Sequence, residues 1–327
     1  MLTWDDYEVV EFEAEEATGD VLNDALFKRN LDVEERLNID LTFHEISVRS
    51  DYNLFQKTVQ QSTMAGSGDY DIVTCETARF AISMLDGMML DLMEIDYIDI
   101  YTAAGLKSVE ETDDGRVVLS EDVTSERAVD LMEKMANFFN TQIDAIVTPK
   151  YDDTIHFREG RGLFYTYPMG PLAKATYRSL PFNIGFVPMP KYDETEKEYT
   201  ISSSNAFSLF GIPVDAKDPH MSGAVLECMA SEGYRTLIPA LFDVCYKVKY
   251  NSDESGLQSQ VFDLIRENRV FDLGRFFYRV LPYAVVNNFG KNISVNNTAW
   301  VSTIEGVRAS LDTKLAEITE IMAQIKN

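Results

Sequence analysis

Apolar and polar residues alternate with two different periods along this chain, and the period changes mark its elements. From Val21 to Leu37 the apolar residues Val21, Leu22, Ala25, Leu26, Val33 and Leu37 fall mostly on one helical face, with Asp20 placed to cap the helix. Ile39, Leu41 and Phe43 then alternate with Asp40, Thr42 and His44, the period of a strand. Ser50 is placed to cap a second helix, Asp51 to Met64, which Gly66-Ser67-Gly68-Asp69 ends. Tyr70–Thr74 reads as a short strand, and a third helix follows from Thr77 to Leu85. Strand, helix-length crossover and strand predict a parallel βαβ sheet.

The texture changes near Tyr101. Asp113-Asp114-Gly115-Arg116 reads as a hairpin-like turn, and Thr124 or Ser125 caps a helix to Phe139. Gly162–Tyr167 and Asn183–Pro188 read as strands, with a proline-led helix from Pro171 to Leu180 between them. Ser202-Ser203-Ser204-Asn205 is small and polar, then Phe207–Ile212 turns apolar, a shift that suggests a linker between lobes. The last third reads as helical: Asp218-Pro219 opens a helix to Ser231, Ser252 caps Asp253–Asn268, and Thr303–Lys326 forms a long final helix. The partition expected is a first lobe of residues 1–100 plus 206–240 and a second of 101–205 plus 241–327.

Charge narrows the function classes. The 327 residues carry 29 Lys and Arg against 54 Asp and Glu, a net −25. That excess argues against a nucleic-acid partner, which needs a basic face. No segment approaches the ~20 apolar residues of a membrane span. The first twenty residues hold eight acids and neither Lys nor Arg, so no signal-peptide pattern is visible; this is the start expected of a cytoplasmic chain or of one trimmed past a leader.

Cys75, Cys228 and Cys245 are widely spaced, which excludes a CxxC pattern and makes a disulfide framework unexpected. His44, His156 and His220 are the only histidines, too few to favour a metal site or a Ser-His-Asp triad. Neither GxxxxGK[ST] nor GxGxxG occurs, nor GxSxG, nor HExxH. No cofactor is expected.

Two observations point to a small-molecule cleft. Glu76 follows the strand Tyr70–Thr74, and ligands of open α/β sheets sit beyond the carboxyl ends of the strands; an exposed loop glutamate is the equally weighted alternative. Aromatic residues are plentiful, at 19 Phe, 16 Tyr and two Trp. Tyr165 and Tyr167 share one strand face, and Trp300 stands among Asn296, Asn297, Thr298 and Ser302. Aromatic faces stack on sugar rings while carboxylates and amides bond the hydroxyls, so these positions suit a carbohydrate cleft. For any single aromatic, a place in the core is the competing reading.

Several segments together resemble extracellular solute-binding proteins of family 1, the receptors of ABC-type importers. They are Glu15–Ala25, Lys28-Arg29-Asn30, Val33–Ile39, Gly68–Val73, Gly87–Leu92, Phe157–Phe164, Phe182–Asp193 and Phe271–Gly274, in the family's order. The resemblance implies two α/β lobes that close on a solute by a hinge motion, with a sugar or oligosaccharide favoured and no catalysis. It implies a monomeric receptor outside the cell, anchored through a leader absent from this chain and delivering solute to a membrane permease. Carried over by position, Glu76 and Thr77 (beside Cys75), Tyr165, Tyr167, Asn205 and Trp300 would face the cleft. Two departures stand out. The first strand of the family is expected to be missing, with only Tyr7–Phe12 before the acidic segment. Part of the second lobe is expected to be missing after Ile95. A carboxylate hydrolase using Glu76 and a remnant without ligand are the rival readings.

Overall fold

The computed structural model of the chain describes residues 1–5, 11–48, 51, 53–89, 112, 114–141, 155–165, 169, 177, 180–191, 194–195, 197–202, 207–248, 250, 256–270 and 273–325. The fold is mixed α/β. It divides into two compact units, Met1–Gly105 with Thr154–Val270, and Leu106–Asp153 with Phe271–Asn327. The first boundary lies near the texture change at Tyr101. The segment Thr154–Val270 stays with the first unit undivided, without the expected boundaries at 205/206 and 240/241. Residues 206–240 fall in the first unit as expected, while 154–205 and 241–270, expected in the second lobe, fall in the first unit too. A polar break marks a loop but does not report which unit the flanking segments join.

The first unit is built on a four-stranded sheet. β1 (Leu2–Trp4) lies between β2 (His44–Ile46) and β3 (Val73–Glu76), parallel to both. The first strand is therefore present, which corrects the expectation that it was lost. Its three residues are too short to show a period, so the sequence hid it in front of an acidic run. α1 (Val21–Leu37) crosses from β1 to β2, and α2 (Leu54–Ala65) from β2 to β3, giving the predicted βαβ texture. The ladder of β2 at His44–Ile46 overlaps the alternating stretch that predicted it only at His44, and that of β3 at Val73–Glu76 overlaps Tyr70–Thr74 at Val73 and Thr74.

Side chains alternate across this sheet and each face has its own cover. Leu2, Trp4, Val73 and Cys75 pack with Phe55 and Val59 of α2 and with Phe80 of α3 (Thr77–Leu85). Met1 and Ile72 pack instead with Val33 of α1 and with Val225, Cys228 and Met229. Asp20 caps α1 through its carboxylate on the amides of Leu22 and Asn23, and Asn38 ends it in the left-handed conformation.

α4 (Glu126–Thr141) belongs to the second unit. In the first unit, α5 (Ile155–Arg158) is a single turn, and Gly162–Tyr165 and 183–188 form no ladder. β4 (Ile201–Ser202) pairs in parallel with β6 (Arg269–Val270). β5 (Ser208–Gly211) then joins the main sheet antiparallel to β3, so that Ser208 stands opposite Glu76 and Gly211 opposite Val73. The segment after the polar break thus shares the sheet of Val73. α6 (Pro219–Glu232), with Asp218 accepting from the Met221 amide at its start, runs on into π-helical turns at Gly233–Leu237 and Ala240–Val248. Phe242, Tyr246 and Tyr250 pack there with Tyr177 and with Phe262 of α7 (Leu257–Glu267).

In the second unit the single turn α8 (Leu273–Phe276) and α9 (Val285–Ser294) pack together, α9 also packs on α4, and the long α10 (Trp300–Ile325) completes the bundle. Met132, Trp300 and Ile304 form its core, lined by Val123, Tyr283, Phe289 and Ile293. No helix among the described residues is long and apolar enough to cross a membrane.

Candidate functional site

The carboxyl ends of β1 and β3, with the first residue of β5, bring a set of polar side chains together. β3 ends at Glu76 and α3 begins at the next residue, so the carboxylate leaves the sheet where the chain turns into a helix. Three residues on, one helical turn brings Arg79 back to it, and the two form an ion pair. Both are buried, at 5% and 7% exposure. The Thr77 amide and hydroxyl both donate to the Phe207 carbonyl, at 3.1 and 2.8 Å, which fastens the head of α3 to the start of β5.

Trp4 ends β1, and its indole N–H donates to Ser208 Oγ at 3.1 Å. The Ser208 hydroxyl in turn donates to the Glu11 carboxylate. Glu11 and Ser208 are half-buried, unlike the covered Trp4 and Glu76. Asp5 follows Trp4 and accepts from the Val48 amide at 2.9 Å and from the Ser47 hydroxyl at 3.0 Å, tying the ends of β1 and β2. The Ser208 hydroxyl and the Glu11 carboxylate are the partly exposed members of this polar set, with the Trp4 indole and the Glu76 carboxylate buried beside them. Cys75, buried beneath it, is no nucleophile: burial pushes its thiol up to about 12. Among the described residues no group of three His, Cys, Asp or Glu is placed to hold a metal ion.

A surface depression of about 510 Å³ lies elsewhere. It is lined by Gln60, Thr63 and Met64 late in α2, Asp86 and Met88 after α3, and Val214 after β5. Those positions sit at the amino ends of the parallel strands, away from the polar set, and the depression is open and mixed in character.

The residues singled out in the sequence separate. Glu76 and Thr77 lie together at the carboxyl end of β3, although Glu76 is a buried ion-pair partner rather than an exposed loop acid. Tyr165 stacks on Phe157 with centroids 5.6 Å apart, and Phe157 meets Phe182 edge-on. Beside it Leu163 and Phe164 are 87% and 78% exposed. Tyr167 and Asn205 lie outside the described residues.

Trp300 requires correction. Its ring is not partly exposed but 1% exposed, edge-on to Phe289 at 5.0 Å, with the indole N–H donating to the Val123 carbonyl at 2.8 Å. The polar neighbours that suggested exposure turn away from it: Asn297 bonds Asn292 and caps the Ala299 amide, and Ser302 bonds back to Ala299. A large ring at the first turn of a 26-residue helix is where a core anchor belongs.

Four site residues escaped the sequence. Arg79 was readable, since it stands three residues after Glu76 on the predicted helix. Trp4 and Ser208 depended on an unseen strand and on a long-range pairing. Glu11 is one acid among eight and carried no distinguishing signal. No protein-family profile, curated protein or solved structure matches this chain.

Proposed function

We propose that the chain is a solute-binding receptor that holds a small polyhydroxylated solute, a sugar or oligosaccharide, at the carboxyl end of its β1–β3–β5 sheet. It performs no chemistry on that solute and hands it to an ABC-type permease from an extracellular position. The observation that carries this reading is the connectivity: the chain changes compact unit at 105/106, 153/154 and 270/271, rather than once. Several crossings between units are the chain connectivity expected of a two-lobed solute receptor. The segments resembling family 1 receptors support it, and so does the hydrogen-bonding character of Trp4, Ser208 and Glu11.

The test is a thermal-shift screen against mono- and oligosaccharides, with product analysis on the same samples. A sugar at one hundred times its dissociation constant adds about 2.7 kcal/mol of stability and raises the melting temperature. Intact recovery of the sugar that raises it is the expected result. Release of reducing ends from a glycan would replace this reading with the hydrolase, and a flat panel from a folded sample would leave the remnant.

A further inference from the structure

The Lys28-Arg29-Asn30 segment belongs to the resemblance, yet none of the candidate site residues explains it. The structure gives two of its members an unusual placement. Arg29 and Asn30 are both buried in the middle of α1, where a surface helix ordinarily shows its charges to water. Their polar groups do not turn to another helix. Arg29 donates to the Glu11 carbonyl at 3.3 Å and to the Phe12 carbonyl at 3.0 Å, and Asn30 Nδ2 donates to the same Phe12 carbonyl at 2.9 Å. The two also hold each other, since the Arg29 guanidinium donates to Asn30 Oδ1 at 2.8 and 3.0 Å. A planar fork with fixed donor directions is thus spread over two successive carbonyls of an irregular segment.

Immobilising that segment has a consequence at the sheet. Phe12 is buried and meets Phe210 of β5 edge-on at 6.1 Å, so its ring and its carbonyl are both fastened. Glu11, the residue before it, then extends its carboxylate to the Ser208 hydroxyl, which also takes the Trp4 indole N–H. From these contacts we infer that Arg29 and Asn30 are positioning residues: they clamp the Glu11–Phe12 segment so that the Glu11 carboxylate is fixed beside Ser208 and Trp4, as a preorganised acceptor for the hydroxyl donors of a solute. The solute part rests on the receptor reading above; the clamp itself is a property of the unliganded chain. A preorganised acceptor loses less freedom on binding than a mobile one, which is the use of spending a buried guanidinium on a loop. Burial pulls the Arg29 guanidinium down to about 10, with Glu11 opposing the shift, so it remains charged at neutral pH.

The chain has two tryptophans, which makes the clamp observable without a ligand. Labelling the indole nitrogens gives two N–H signals. One is Trp4, bonded to Ser208, and the other is Trp300, bonded to Val123 in the other compact unit, which serves as the internal reference. Arg29→Lys keeps the charge but loses the fork. It is expected to shift the Trp4 signal and speed its exchange with solvent while the Trp300 signal stays, and Arg29→Gln is expected to do the same more strongly. A Trp4 signal unchanged in folded Arg29→Lys overturns the clamp. Should the Arg29 variants not fold, Asn30→Ala and Glu11→Gln test the same chain of contacts from its other members, and an unmoved Trp4 signal in both overturns it equally. The solute part is read separately, on whichever sugar raises the melting temperature of the wild type. Folded Arg29→Lys should bind it about tenfold more weakly, an effect that a loss of stability alone does not produce. Equal affinity in the two proteins overturns the positioning role. A shifted Trp4 signal in a protein that binds no sugar keeps the clamp and removes the receptor reading.

Discussion

Trp300 separates what a residue's neighbours in sequence say from what its neighbours in space do. Asn296, Asn297, Thr298 and Ser302 give it a polar setting along the chain, but the side chains of Asn297 and Ser302 bond to Asn292 and Ala299 and not to the ring. What the ring itself touches is Phe289 and the core of Met132 and Ile304. Trp300→Ala is therefore expected to cost roughly 3–5 kcal/mol, from the lost area and the cavity it leaves. Denaturant unfolding followed by far-ultraviolet dichroism measures it, and a cost below about 1 kcal/mol would return the ring to the surface. Cys75 is the second residue whose surroundings decide its chemistry. Burial raises its thiol to about 12 from the ordinary value of 9.0, with Arg79 opposing and Glu76 adding to the shift. Between those two values the unfolded chain gives up the proton and the folded chain keeps it. The unfolded state then binds fewer protons, and stability falls as pH rises above about 9, by at most ~1.4 kcal/mol per pH unit. At pH 8 the native thiol should resist a disulfide-exchange reagent that labels it on unfolding. Cys75→Ala should flatten the alkaline decline between pH 9 and 10.5; an equally steep decline in that variant would assign it to other groups.

At the scale of elements, the sequence revealed those whose signal is local. Asp20 and Asp218 cap the helices they were expected to cap. Of the expected apolar face of Val21–Leu37, Leu26 and Val33 are buried, while Val21 is exposed and Arg29 and Asn30 share the buried side. The helices Thr77–Leu85 and Glu126–Thr141 begin where their capping or turn residues placed them. The strands were less legible, because their lengths of two to four residues are set by pairing and not by pattern. Leu2–Trp4 has no period to read, and β2 and β3 begin only at the last residues of the stretches that predicted them. The polar site shares that fate: Glu76 could be placed from its position after a strand, whereas Ser208 and Trp4 meet only because β5 returns to β3 after more than a hundred residues. Gly211 shows how tight that return is. A Cβ there would lie 2.3 Å from Phe80 Cζ and 3.2 Å from Met89 Sδ, both buried. Gly211→Ala is expected to destabilise the first unit by about 1–3 kcal/mol through overpacking. Phe80→Leu should relieve part of that cost when the two are combined, so the double variant loses less than the sum of the single ones. Strict additivity in that cycle would show that Phe80 is not what excludes the side chain.

The whole molecule carries more negative charge than its ion pairs can use. With 54 acids against 29 Lys and Arg, at least 25 carboxylates have no basic residue to match them. The pairs that do form are mostly exposed: Lys28 with Asp32, Lys57 with Asp51, Arg116 with Asp114 and Lys134 with Asp130 are side-chain contacts open to water. Each such pair contributes only about 0–1 kcal/mol. The buried pair of Glu76 and Arg79 differs, because it is shielded from dissolved ions. Salt therefore acts on two opposed quantities. It weakens the exposed pairs, which are individually small, and it screens the repulsion among surplus carboxylates, which grows with net charge and is relieved when the chain expands. At −25 the second effect is the larger, so the melting temperature should rise as sodium chloride is taken from about 10 to about 200 mM, over which the screening length falls from roughly 30 to below 10 Å. Potassium chloride should act equally, since screening depends on ionic strength and not on the cation. Calorimetry at constant pH 7.5 measures this directly. A melting temperature that falls with salt would mean that the surface pairs outweigh the repulsion. A rise with calcium far beyond that produced by the same ionic strength of sodium chloride would mean that the surplus carboxylates bind a cation specifically rather than merely repelling one another.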